Sequence, residues 1–200
     1  LGVLAEQGIV CAPRARLHEF HGRIYLEVER FDRTGDYGRV PAVSLASVDA
    51  EFIGQMRSWS QTGEGLAEQA LIDAQTLRQL RWLDTFGAFI ANNDRHLGNV
   101  SLLQQRDGFS LHPAYDMLPM AYAPVRGELV HTRYKLPVRP YGVGQELWVS
   151  AAEAAADYWQ RLRGEPRLSE GFRAVATQCA HTVQSALEAG ETVDSEPNPF

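Results

Sequence analysis

The chain has 200 residues, 44% of them hydrophobic and 22% charged, with a formal net charge of −6. That length and apolar content suit one hydrophobic core with at most a smaller accessory lobe, and no apolar run approaches the roughly 18 residues of a membrane span. A pI near 5.5 argues against direct nucleic-acid binding by this segment, because phosphate contacts need clustered cations.

In chain order, Leu1 to Gly8 reads as the last turns of a helix. Leu1, Leu4 and Ala5 share a face, and Gly8 is placed to end it in a left-handed conformation. A start in mid-helix gives the expectation of a chain cut from a longer protein. Arg14 to Phe31 has the pattern of a hairpin: Ile24, Leu26 and Val28 alternate with polar neighbours as in a half-buried strand, and His21-Gly22 supplies the turn. Thr34 to Pro41, with Gly35 and Gly38, reads as a loop. Asp49 is placed to cap a helix carrying Phe52, Ile53, Met56 and Trp59, and Thr62-Gly63-Glu64-Gly65 is expected to break it.

A longer helix is predicted from about Asp73 to Ala91, where Leu77, Leu80, Leu83, Phe86 and Ile90 recur every three or four residues. Val100–Gln104 and Phe109–His112 can pair as short strands across Arg106-Asp107-Gly108. Met117 to Gly144 is too rich in breakers for regular structure. Two further helices are expected over Val149–Leu162 and Ser169–Ala189, the second capped by Ser169 and ended by Gly190. The polar tail Glu191–Phe200 is expected to be disordered. Cys11 and Cys179 give neither a disulfide framework nor a metal-ligand pair. With no signal peptide in view, the default location is the cytoplasm.

Chemistry concentrates in Asn92-Asn93-Asp94-Arg95-His96-Leu97-Gly98-Asn99, followed after the short strand pair by Pro113-Ala114-Tyr115-Asp116. An Asp, an Asn five residues on and a second Asp further along form the trio a phosphoryl-transfer centre needs. One carboxylate takes the substrate hydroxyl proton, and an amide oxygen and another carboxylate hold magnesium on the nucleotide phosphates. The Asp-x4-Asn spacing matches the protein-kinase catalytic loop, but the His-Arg pair is replaced by Asn92-Asn93 and no Phe-Gly follows Asp116.

The pattern N-x-D-x-H-x-x-N followed by P-x-Y-D-x-x-P resembles the HipA family of bacterial serine/threonine kinases, known as toxins of toxin–antitoxin pairs. Val28-Glu29-Arg30-Phe31-Asp32-Arg33 looks like that family's hinge, so the likeness runs in order from about Leu1 to Pro119. The resemblance implies a mainly α fold: the helical large lobe of a protein-kinase-like architecture, with a small-lobe remnant and short β-hairpins. Residues 1–33 would be the remnant and hinge, 34–190 the helical lobe and 191–200 the tail. It implies ATP and magnesium as cofactors, a protein substrate and an antitoxin partner. Asp94 would be the general base, and Asn99 and Asp116 the metal ligands. Glu29 and Phe31 would meet the adenine edge through their backbone, with Tyr115 packing on the base or the metal loop.

Each assignment has a plainer rival. Asp94 alone would fit an Asx turn after a helix; its register with Asn99 and Asp116 favours catalysis. His96 either fixes the metal loop or is a structural histidine, with support preferred because no acid–base role is left unfilled. No glycine-rich phosphate loop and no small-lobe lysine are found, so these 200 residues alone are expected to be inactive. The competing functions are a nucleotide- or partner-binding module without turnover and a metallophosphoesterase, whose two-metal site would need more His and Asp ligands than Asp94-x-His96 and Asn99 provide. Under the kinase reading Asp94, Asn99 and Asp116 are expected to converge on one cleft beside Glu29–Phe31.

Overall fold

The computed structural model describes residues 2–11, 15–124, 126 and 132–190. The chain divides into two compact units, Leu1–Leu80 with His96–Asp116, and Arg81–Arg95 with Met117–Phe200. Six α-helices and three small antiparallel sheets are found among the described residues.

In the first unit, α1 (Gly2–Glu6) ends as expected, with Gly8 at φ +69° and the amides of Gly8 and Ile9 donating to the carbonyls of Ala5 and Leu4. Strands β1 (Ala15–Phe20) and β2 (Arg23–Val28) form the expected hairpin, Leu17 opposite Leu26, turning through His21 and Gly22 at positive φ. Half-burial is not observed. Every residue of both strands is exposed, Ile24 at 70% and Leu26 at 63%. Alternation specifies which face is apolar, here Ala15, Leu17, Ile24, Leu26 and Val28, but burial needs a covering layer, and among the described residues no third strand joins this sheet.

Strands β3 (Arg33–Thr34) and β4 (Gly38–Arg39) make a two-residue ladder within the stretch read as a loop. β5 (Val43–Ser44) leads into α2 (Leu45–Phe52), whose N-cap is Ser44: its Oγ accepts the Ser47 amide at 3.1 Å. The helix expected from Asp49 to Trp59 is therefore replaced by two. Asp49 lies wholly buried inside α2, its carboxylate accepting from the Thr62 hydroxyl at 3.2 Å and the Met56 amide at 3.0 Å. After a break at Gly54 and Met56, both at positive φ, α3 (Trp59–Glu68) opens on a Ser58/Gln61 capping box and runs straight through Thr62–Gly65.

Those glycines serve packing. A β-carbon on Gly63 would lie 3.0 Å from a Leu80 methyl, and one on Gly65 would lie 2.9 Å from Ile53. Each glycine costs the helix ~1 kcal/mol relative to alanine, and a β-carbon at either position would require the facing methyl to shift. α4 (Ala74–Phe89) matches its expectation, capped by Asp73, which accepts the Thr76 amide at 2.7 Å. The expected strand pair is β6 (Ser101–Gln105) and β7 (Gly108–Leu111), to which β5 adds a third strand in the order β5–β6–β7 around a buried Leu102.

In the second unit the described part of Met117–Gly144 is irregular apart from a 3-10 turn at Met120–Tyr122. α5 (Gln145–Arg163) starts four residues before its expected boundary, and α6 (Glu170–Glu188) is capped by Ser169 as predicted. The two pack together, and small residues are buried on both, Ala151, Ala152 and Ala155 on α5 and Ala176 and Ala180 on α6, as are Trp159, Cys179 and Val183. No helix among the described residues is long and apolar enough to cross a membrane. The tail 191–200 lies outside the described residues.

Candidate functional site

The residues singled out from the sequence fall on both units, and each group is braced by its own unit. In the first, Asn99 ends a 3-10 turn, Leu97–Asn99, whose N-cap is His96. The His96 ring accepts the Gly98 amide on Nδ1 at 3.0 Å, so the histidine, itself exposed, shapes the turn that carries Asn99. The His96 carbonyl accepts twice, from the Asn99 amide at 3.0 Å and from the indole of Trp59 at 2.9 Å. Trp59 is only 1% exposed, so the turn is tied to the core of α3 by a group with almost no freedom.

Tyr115 fastens the same turn from the other side. Its hydroxyl donates to the Gly98 carbonyl at 3.2 Å and pairs with the Ser101 hydroxyl at 2.8 Å. Asp116 follows at once, exposed and at φ +56°. A left-handed backbone costs a non-glycine residue about 1 kcal/mol or more, a strain usually kept where a side chain must be aimed.

Phe31 contacts two rings of the segment after β7: His112 at 4.9 Å between centroids and Tyr115 at 5.7 Å, the latter stacked. Of the nucleotide-contact candidates, Phe31 and Tyr115 are thus brought together. Glu29 is exposed immediately after β2. Asp32 is gripped by the Arg30 guanidinium through two hydrogen bonds, 2.8 and 2.6 Å, with Arg33 on the same carboxylate. Chiefly because of the Arg30 bonds, its carboxyl titrates at about 2, below the usual range.

In the second unit Asp94 follows the end of α4. That end is a Schellman motif: the Asn92 amide donates to the Gly87 carbonyl at 2.9 Å and the Ala91 amide to Ala88 at 3.1 Å, with Ala91 at φ +56° where glycine is usual. Asn92 is buried at 1% exposure and its side-chain oxygen accepts the Asp94 amide at 3.0 Å. Asn92 thus makes an Asx turn here, and Asp94 is exposed. Arg95 donates to Asp84 at 3.1 Å and to the Asn92 carbonyl, its stem passing close over Gly87.

The carbonyl of Phe89, at the last turn of α4, accepts from the Tyr134 hydroxyl at 2.7 Å and the Trp159 indole at 3.1 Å. Both donors are buried, and burial pushes the Tyr134 phenol well above its ordinary range, so it remains a donor.

Sequence pattern does not mark Trp59, His112, Tyr134 or Trp159 as braces, whereas the Asn pair before Asp94 favours a turn there. Each of the four is an aromatic residue that pattern assigns to the core or to a turn. Among the described residues there is no group of three or more His, Cys, Asp or Glu able to hold a metal ion. His112, which lacks the motif partners of a phosphoesterase ligand, is bonded to the Pro41 carbonyl at 2.8 Å; His131, which lacks them too, lies outside the described residues.

Comparison with known proteins adds three findings. Residues 2–187 match the family model described as the HipA-like C-terminal domain. Toxin YjjJ of Escherichia coli (strain K12) is 36% identical over 191 residues, covering 93% of this chain and 42% of that protein. A chain of the Shewanella oneidensis MR-1 toxin–antitoxin complex of HipA, HipB and operator DNA superposes with a TM-score of 0.60 at 15% identity, over 97% of this chain and 56% of that one. The chain therefore spans less than half of the curated relative and little more than half of the solved one, and the second likeness shows the fold.

Proposed function

Because the chain belongs to the family of HipA-like C-terminal domains, we propose that it is the helical large lobe of an ATP-dependent serine/threonine protein kinase. The observation that carries this reading is the fastening of the Asn99 turn to the Tyr115–Asp116 segment through one phenol, which holds an amide oxygen and a carboxylate on a single braced unit. These are hard oxygen donors of the kind magnesium takes one or two of when nucleotide phosphates and water supply the rest. Magnesium, when bound with ATP, neutralises charge developing on the phosphates.

The chain's own residues do the positioning. Asp94, with its backbone set by Asn92 and its carboxylate exposed, orients the acceptor hydroxyl and takes its proton; a loose transition state asks no more of the base than an ordinary carboxylate. Asn99 and Asp116 would hold the metal, and His96 keeps the Asn99 turn in shape by capping it. The backbone of Glu29–Phe31 would meet the adenine edge, with Tyr115 beside it. The reading extends to a cytoplasmic enzyme with a protein substrate and an antitoxin partner, by analogy with the toxin and the HipA–HipB complex it resembles.

The test is phosphate transfer from radiolabelled ATP by the full-length protein. Wild type should label itself or a protein substrate, and Asp94→Asn should lose about 100-fold or more of the rate. Equal rates in both, or no magnesium-dependent transfer by wild type, would overturn the assignment.

A further inference from the structure

We propose that His112 is a positioning residue that fixes Phe31, and through it the backbone of residues 29–31, for the nucleotide; the nucleotide part rests on the reading given above. His112 is 5% exposed and directly follows β7, where its amide continues the ladder to the Ser101 carbonyl at 3.0 Å. A buried imidazole is costly unless its polar atoms are used. Here Nε2 lies 2.8 Å from the Pro41 carbonyl, which can only accept, so Nε2 carries the proton and donates.

The ring face meets Phe31 at 4.9 Å with a 37° tilt. One side chain thus holds both stems of the segment between Phe31 and Pro41, which the Val40 amide closes on the Asp32 carbonyl at 3.1 Å. Tyr115, three residues on, stacks on Phe31 at 5.7 Å as a second ring contact. Among the described residues β1 and β2 are exposed along their whole length, so the packing contacts of this region fall at Phe31 and beyond. The aromatic grip links the proposed adenine-facing backbone to the segment carrying Asp116.

The consequence is a split effect. Loosening Phe31 misplaces a binding surface while leaving Asp94 untouched, and small misplacements of positioning groups carry large penalties. In the full-length protein, His112→Ala should raise the KM and Kd for magnesium-ATP about tenfold and leave kcat at saturation within about twofold. His112→Phe, which keeps the ring contact and gives up only the bond to Pro41, should recover most of the affinity.

Hydrogen exchange without nucleotide isolates the mechanical half: the amides of residues 29–41 should exchange faster in His112→Ala than in wild type, with His112→Phe intermediate. Unchanged exchange there overturns the positioning role whatever the protein binds. Faster exchange with unaltered ATP affinity, or a kcat that falls in step with affinity, overturns its purpose in nucleotide binding. If wild type itself binds no ATP while exchange responds as expected, the nucleotide reading fails and this inference's nucleotide claim fails with it.

Discussion

The two turns that carry the candidate residues are held by opposite strategies. The Asn99 turn is gripped from outside itself by long aromatic side chains, Trp59 on the His96 carbonyl and Tyr115 on Gly98. The Asp94 turn grows out of a helix whose end is closed by its own backbone, with Tyr134 and Trp159 reinforcing the Phe89 carbonyl one turn upstream. Apart from the exposed His96 cap, the side chains that brace both turns are buried or half-buried, and the acidic groups proposed for chemistry, Asp94 and Asp116, are exposed. Rigidity and the proposed reactivity thus fall on different residues, which leaves each open to separate attack.

The largest effect is expected from Trp159→Ala. It removes a fully buried indole that packs on Tyr122, Tyr134 and Tyr158 and donates to Phe89, so stability should fall by about 3–5 kcal/mol in denaturant titration. A loss near 1 kcal/mol would mean that the hydrogen bond, and not the packing, is what this residue supplies.

Trp59→Phe and Tyr134→Phe sharpen the comparison, since each removes one donor from a carbonyl that keeps another. Tyr134→Phe should cost about 1 kcal/mol, the net worth of a hydrogen bond, and Trp59→Phe about 1–3 kcal/mol, because it also empties part of a buried site. Trp59→Phe should also raise hydrogen exchange at Gly98 and Asn99, where the backbone-closed Asp94 turn stays protected.

Ala91→Gly should act in the opposite direction. The left-handed position suits glycine, and after the entropy of a freer unfolded chain a net gain of about 0.5 kcal/mol is expected in melting experiments. Destabilisation would show that the Ala91 methyl makes a contact worth more than its strain.

The smallest effect concerns pH. Asp32 has a folded pKa of about 2, depressed mainly by the Arg30 hydrogen bonds, so its contribution is fully present above its ordinary value near 3.8 and is lost as pH falls toward 2. Arg30→Ala should return the carboxyl part of the way, Arg33 still pairing with it, as read by an NMR titration of the Asp32 side chain.

Much of this architecture is legible from local pattern. The 73–91 helix, the 170–188 helix and the β6–β7 pair follow from periodicity with caps and turn residues at their ends. The misreadings share one cause, which is that local signals do not report the partner surface. Gly63 and Gly65 look like breakers until Leu80 and Ile53 are seen against them, and Asp49 looks like a cap until Thr62 arrives from the next helix. The hairpin's alternation is real, yet its burial depends on a layer that alternation cannot specify. At the candidate site, motif spacing singles out Asp94, Asn99 and Asp116 as proposals, whereas Trp59, His112 and Tyr134 make bonds across 37, 71 and 45 positions in sequence, beyond any local pattern.

The central claim is that Asp94 serves the acceptor hydroxyl while Asp116 serves the metal, and calorimetric titration of ATP into the full-length protein, with and without magnesium, tests it most directly. Asp94→Asn should bind magnesium-ATP with near wild-type affinity although transfer is lost, and Asp116→Asn should lose the magnesium-dependent part of binding. Equal loss of affinity in both variants, or magnesium-dependent binding that survives Asp116→Asn intact, would contradict it.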